Sequence, residues 1–146
     1  MTERGGRIRV LLVEDSPAEV SLTTEVLAEA GMADDVAVVG DGEAALAYLR
    51  GEGAFCGAPR PDVVLLDLNL PRRSGQEVLA EMQEDEALRA IPVVVLTRST
   101  GDADVRAGCG QQAAAFLAKP VVLEDFLGTV AAIEGLWPRA VRYPDR

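Results

Sequence analysis

Apolar residues in this chain fall into two patterns, short unbroken runs and longer stripes, and the two alternate from end to end. Arg7–Val13 (RIRVLLV) is a β-branched apolar run, and Asp35–Val39 is a shorter, weaker one. Val63–Leu66 (VVLL) and Val93–Leu96 (VVVL) are continuous apolar runs with Pro61 and Pro92 just ahead of them. Runs of that kind fit strands covered on both faces better than half-exposed ones, which would alternate apolar with polar. Ala114–Leu117 is the last and weakest of the strands predicted.

Helical stretches lie between them. Ser16 and Pro17 form an N-cap and first-turn pair opening a helix over Ala18–Ala30, and Gly31 stops it. Asp41 caps a helix running to about Arg50, and Ser74 opens another with Val78, Leu79 and Met82 on one face. In the final helix Phe126, Val130, Ile133 and Trp137 recur at i, i+4, i+7 and i+11, a single apolar stripe, and Pro138 ends it. Gly51–Arg60 reads as a loop and Arg139–Arg146 as a frayed tail. Strands alternating with helices imply an α/β fold: a parallel sheet with right-handed crossovers and helices on both faces. One domain over residues 7–137 is expected, with tails at 1–6 and 138–146, no internal repeat and no output module.

Composition narrows the function. At 146 residues, 49% of them apolar, the chain has room for one sizeable core and is not disordered. No apolar run approaches the ~18–20 residues that span a bilayer. The opening MTERGGRIRV has no apolar segment of the kind a secretory signal needs, so a cytoplasmic protein is expected. Cys56 and Cys109 read as two small residues of a reduced protein. The chain contains no histidine, which excludes Ser-His-Asp and Cys-His chemistry and His-ligated zinc. A net charge of −10 argues against a nucleic-acid partner. Hard-cation chemistry through carboxylates remains open.

The candidate chemistry sits where strands end. Glu14 and Asp15 follow the first strand and Asp67 follows the third. Open α/β sheets bind ligands beyond the carboxyl ends of their strands, where the strand order reverses. With the order 2-1-3-4-5 the first and third strands are neighbours at that point, so the three carboxylates converge, and the fourth and fifth strands deliver Thr97 and Lys119 to the same crevice. Unit charges ~4 Å apart at an effective dielectric near 20 repel by roughly 4 kcal/mol at the upper end, a cost that a divalent cation removes. Taken singly, each residue has an ordinary explanation. Asp67 reads as a turn, Glu14 and Asp15 as favourable charges at a helix N-terminus, and Lys119-Pro120 as a bend. Their joint placement at the ends of alternate strands is what points to a site.

That set, Glu14-Asp15, Asp67-Leu-Asn-Leu-Pro71 with Gly75, Thr97, and Lys119-Pro120, resembles the receiver domain of two-component response regulators over roughly Arg7 to Trp137. Phrases such as LLVEDSPAEV, PRPDVVLLDLNLP and IPVVVLT are similar to the single-domain regulators that partner bacterial phytochrome kinases. The resemblance implies a flavodoxin-like (βα)5 fold and Mg²⁺ as cofactor. Asp15, Asp67 and the backbone carbonyl of Asn69 would bind the metal directly, and Glu14 through water. It implies that Asp67 accepts a phosphoryl group from a sensor histidine kinase, with Lys119 and Thr97 contacting the phosphoryl oxygens. Thr97 and Phe116 would form the switch, Lys119 would precede a cis proline, and signalling would run through protein contacts, a homodimer among them. The protein would be no enzyme beyond its own phosphorylation and dephosphorylation.

Two rivals stand beside this reading. An Asp-nucleophile phosphohydrolase would place its nucleophile after the first strand and add a cap domain, and a pseudo-receiver would lack the intact acidic trio. Three departures from the family pattern bear on the signalling face. Arg98 follows Thr97 where a small residue is usual, and its guanidinium can fold over the crevice. Gln112 stands where the family has Gly, and Gly108 and Gly110 weaken the helix expected between the fourth and fifth strands by ~1 kcal/mol each against Ala.

Overall fold

The computed structural model describes residues 8–32, 35–68, 70, 74–97 and 113–133. Five strands, β1 (Arg9–Val13), β2 (Asp35–Val39), β3 (Val63–Asp67), β4 (Val93–Thr97) and β5 (Ala115–Ala118), form one sheet in the order β2-β1-β3-β4-β5, every pair parallel. Four α-helices accompany it among the described residues: α1 (Pro17–Glu29), α2 (Gly42–Arg50), α3 (Gly75–Gln83) and α4 (Leu123–Ala132). The expected strand order is the one observed.

Strand position explains the apolar runs. β3 and β4 lie inside the sheet and are buried along their whole length, whereas the edge strands β2 and β5 are mostly half-buried. Successive strand residues point to opposite faces. Val10, Leu12, Val63, Leu65, Val94, Leu96 and Leu117 pack with Leu27 of α1 and Phe126 and Val130 of α4. Leu11, Val13, Val64, Leu66, Val93 and Val95 pack with Leu46 of α2 and Val78, Leu79 and Met82 of α3. The sheet therefore separates two apolar cores. Each fully buried leucine contributes about 1.5–3 kcal/mol relative to exposure, and Leu11, Leu12, Leu65 and Leu66 are all of this kind.

Local signals set the helix ends. Ser16 caps α1, with Pro17 in the first turn, so the helix begins one residue earlier than expected. Gly31, past its end, adopts the left-handed conformation (φ 76°) that closes a helix. Asp41 Oδ1 accepts from the Ala44 amide at 2.7 Å, and Ser74 and Glu77 close a reciprocal capping box on α3. β5 lies one residue later than the run Ala114–Leu117 suggested. The Gly51–Arg60 loop contains a short 3-10 turn at Gly53–Phe55, where Phe55 meets Tyr48 edge-on at 5.4 Å. Phe126, Val130 and Ile133 of the α4 stripe are buried, and Cys56 is free and exposed. Trp137, the tails, Cys109, Arg98, Gln112 and the Gly108/Gly110 segment lie outside the described residues. No helix among the described residues is long and apolar enough to cross a membrane.

One contact links this framework to the carboxyl edge of the sheet. A Cβ on Gly75 would lie 2.6 Å from the Asp67 carbonyl oxygen and 2.7 Å from Leu68 Cα, and the Gly75 amide donates to the Leu68 carbonyl at 3.0 Å. Both obstacles are backbone and cannot swing aside. Gly75→Ala is expected to cost about 1–3 kcal/mol by overpacking, measured as a lower midpoint in urea unfolding. A wild-type midpoint would show that α3 does not press on the end of β3.

Candidate functional site

The carboxyl ends of the strands bring the predicted residues together. Asp67 is the last residue of β3 and Thr97 the last of β4, and in-register pairing sets Asp67 beside Leu96 and Thr97 beside Ala118. Glu14 follows β1 directly, its amide donating to the Val39 carbonyl at 3.0 Å, so it continues the ladder toward β2. Lys119 follows β5 in the same way, its amide donating to the Thr97 carbonyl at 3.0 Å. The Lys119–Pro120 bond is cis, as the family resemblance implied. Four strand ends thus supply four candidate side chains without any long loop.

At the centre is a buried ammonium. Lys119 Nζ lies 3.2 Å from Glu14 Oε1, 3.2 Å from Asp67 Oδ1 and 2.8 Å from Glu19 Oε1. The Lys119, Glu14 and Asp67 side chains are 8%, 1% and 5% exposed, so these charges face one another with little water between them. Burying an unpaired charge costs several kcal/mol, and the ion pairs offset that cost. The titration of both partners reflects this. Burial and the neighbouring Asp67 charge push the Glu14 carboxyl above its usual range, against the opposing pull of Lys119. Burial alone would depress the Lys119 ammonium, but its hydrogen bond to Glu19 and the charges of Asp67 and Glu14 outweigh burial and hold it above the ordinary lysine value.

The acidic trio converges as predicted. Glu14, Asp15 and Asp67 each offer a carboxylate oxygen, all within 4.8 Å of one another, with Asp15 exposed and the other two buried. A group of hard oxygen donors with one side open to solvent suits a small divalent cation that keeps part of its water shell. Thr97 is buried at the end of β4, and Phe116 is half-buried on β5, packed against the core shared with α2 and α3. Asn69, expected to lend its carbonyl, lies outside the described residues.

Sequence reading overlooked Glu19, which makes the shortest of the three lysine contacts. A signal was present in Ser16-Pro-Ala-Glu19, the same S-x-x-E spacing as Ser74-Gly-Gln-Glu77. In α3 the pattern closes on itself, Ser74 N–H donating to Glu77 Oε1 at 3.0 Å. In α1 the corresponding amide, Ser16 N–H, donates instead to Glu14 Oε2 at 3.3 Å, and Glu19 reaches Lys119. A motif that normally serves only its own helix has been turned toward the site.

A five-stranded parallel sheet with an acidic cluster and a buried lysine at its carboxyl edge is the arrangement that comparison with known proteins places in a family. The family model of the response regulator receiver domain matches residues 10–131, and the chain belongs to that family. It is 42% identical to response regulator Rcp1 of Synechocystis over 135 residues, 92% of each chain. Among solved structures it resembles the bacteriophytochrome response regulator RtBRR (37% identity, TM-score 0.83, covering 94% of this chain and 82% of that one). It also resembles the phosphorylated cyanobacterial phytochrome response regulator RcpA (39% identity, TM-score 0.76, covering 93% and 97%). The protein is thus a receiver-domain response regulator of a two-component system, related to Rcp1 and the phytochrome response regulators.

Removing the ammonium tests the electrostatics. Without a cation, Lys119→Met leaves buried carboxylates uncompensated and is expected to cost about 3–5 kcal/mol at neutral pH. The loss should shrink on acidification. Glu14 is already raised in the folded state and rises further without the lysine. A group raised on folding favours the fold below its unfolded value and loses that contribution as pH rises through the folded one. Urea unfolding of variant and wild type at about pH 5 and pH 8 measures the difference, and a pH-independent gap would contradict this account.

Proposed function

We propose that Asp67 is the phosphoacceptor of this regulator, receiving its phosphoryl group from a sensor histidine kinase. The observation that carries the reading is the Lys119 ammonium 3.2 Å from Asp67 Oδ1, beside the acidic trio at the carboxyl edge of the sheet. In the transfer, an Asp67 carboxylate oxygen bonds to phosphorus while the phosphorus–nitrogen bond to the kinase histidine breaks and the imidazole leaves. Phosphoryl transfer asks mainly for positioning and charge stabilisation. Lys119 supplies a fixed positive charge, and Thr97, ending the adjacent strand, supplies a hydroxyl for a phosphoryl oxygen. Thr97 and Phe116 serve as the switch that reports the phosphoryl group to the outer face of β5.

Mg²⁺ fits the donor set of Asp15 and Asp67, with Glu14 acting through water and the Asn69 carbonyl as a further ligand. When bound it offsets the carboxylate repulsion and the charge of the incoming phosphoryl oxygens. The kinase is proposed to be of the phytochrome type, because relatives across nearly the whole chain are described as phytochrome or bacteriophytochrome response regulators. Cytoplasmic location, output by protein contact with a homodimer as one form, and no turnover beyond the protein's own phosphorylation and dephosphorylation complete the reading.

Incubation with acetyl phosphate and Mg²⁺ followed by intact mass is expected to show one added phosphoryl group on the wild type and none on Asp67→Asn. Steady donor turnover without a labelled protein would indicate a phosphohydrolase, and neither turnover nor label a pseudo-receiver. Undiminished labelling of Asp67→Asn would overturn the assignment.

Binding of Mg²⁺ to the native state alone should raise the melting temperature at millimolar concentration relative to excess chelator, and the response should weaken sharply in Asp15→Asn. A melting temperature indifferent to Mg²⁺ would remove the metal from the site.

A further inference from the structure

An ammonium group has three N–H bonds and no acceptor capacity. In Lys119 three carboxylates surround that group, Glu19 at 2.8 Å and Glu14 and Asp67 each at 3.2 Å. Two of the three belong to the trio that converges on one point as a cation site; Glu19 does not. A cation held by the trio shares Glu14 and Asp67 with the ammonium, whereas Glu19 stands outside that trio. The lysine that faces an incoming phosphoryl group therefore carries an anion on its other side. That anion is fixed by the fold: Glu19 stands in the first turn of α1, and the amide it would otherwise cap is occupied by Glu14 Oε2.

The carboxylate of Glu19 has two opposite effects. It anchors the ammonium at the wall of the crevice, which aids positioning. It also places a negative charge beside the group that must stabilise phosphoryl oxygens, and like charges so close oppose each other strongly where water is scarce. The separation between the Glu19 and Asp67 oxygens is no more than their two contacts with Nζ laid end to end. At that range the charge effect exceeds the anchoring effect, because Asp67 and Glu14 also hold the lysine and their removal is not involved.

We propose that Glu19 is a positioning residue that acts through Lys119 to restrain phosphorylation, holding the ammonium while weakening its attraction for the phosphoryl group. This rests on Asp67 being the phosphoacceptor. The restraint is a property of the regulator itself and sets how readily small phosphodonors load it in the absence of a kinase.

The decisive variant is Glu19→Gln, which keeps a carbonyl acceptor for the ammonium and removes the charge. Its affinity for beryllofluoride, a phosphoryl mimic, measured by calorimetry in Mg²⁺, is expected to rise about fivefold, the equivalent of ~1 kcal/mol. Labelling by acetyl phosphate should accelerate by a similar factor. Affinity for Mg²⁺ alone should fall or stay level, since a nearby anion has been removed. A gain for beryllofluoride with no gain for Mg²⁺ separates this role from a structural one, because a loosened α1 would weaken both. Glu19→Ala, which removes the acceptor as well as the charge, should gain less than Glu19→Gln. Beryllofluoride affinity in Glu19→Gln within twofold of wild type, or weaker, overturns the proposal. If wild type itself neither labels nor binds beryllofluoride more tightly than Asp67→Asn, the phosphoacceptor assignment fails, and the restraint falls with it.

Discussion

Mutual repulsion of buried carboxylates at one edge of the sheet is the constraint around which this molecule is arranged. Glu14 and Asp67 are nearly inaccessible to water and lie next to each other, a placement that is unfavourable for any isolated pair of anions. The sheet imposes it, because parallel strands in register must end together, and the two strands concerned are neighbours at the point where the order reverses. Lys119 makes the arrangement tolerable. The raised values of the Lys119 ammonium and the Glu14 carboxyl are two signs of the same balance, in which one cation serves several anions. Such an edge is receptive by construction to a further positive charge.

Much of this was legible in the chain itself, and for identifiable reasons. β3 and β4 were plain because a strand buried on both faces is apolar up to its last residue, Asp67 in one and Thr97 in the other. β2 and β5 were fainter because edge strands are half-exposed, and the boundary of β5 was displaced by one residue for lack of a sharp signal at Ala114. The caps at Ser16, Asp41 and Ser74 were visible because the side chain that accepts an amide proton must be short and polar. Glu14, Asp15, Asp67, Thr97 and Lys119 were visible because each stands just after an apolar run, so the fold that the runs imply also places them.

Glu19 was not visible for an equally physical reason. Its spacing from Ser16 has a sufficient local explanation, the capping box, and nothing local reveals that Glu14 has taken the amide in question. Contacts made across about a hundred residues of sequence, as Glu19 makes with Lys119, leave no periodic trace. Local patterns state what a residue can do for its own helix, and the tertiary structure decides whether that service is needed.

The division of the interior into two cores has a consequence for how news of the site travels. Because neighbouring residues of β3 and β4 belong to opposite cores, the sheet acts as a bulkhead between two independently packed compartments. A displacement at the end of β4 can be passed into the compartment beneath α2 and α3, where Phe116 is seated, while the compartment beneath α1 and α4 keeps its packing. One flank of the molecule can then change its shape for a listener while the other is buffered from that change.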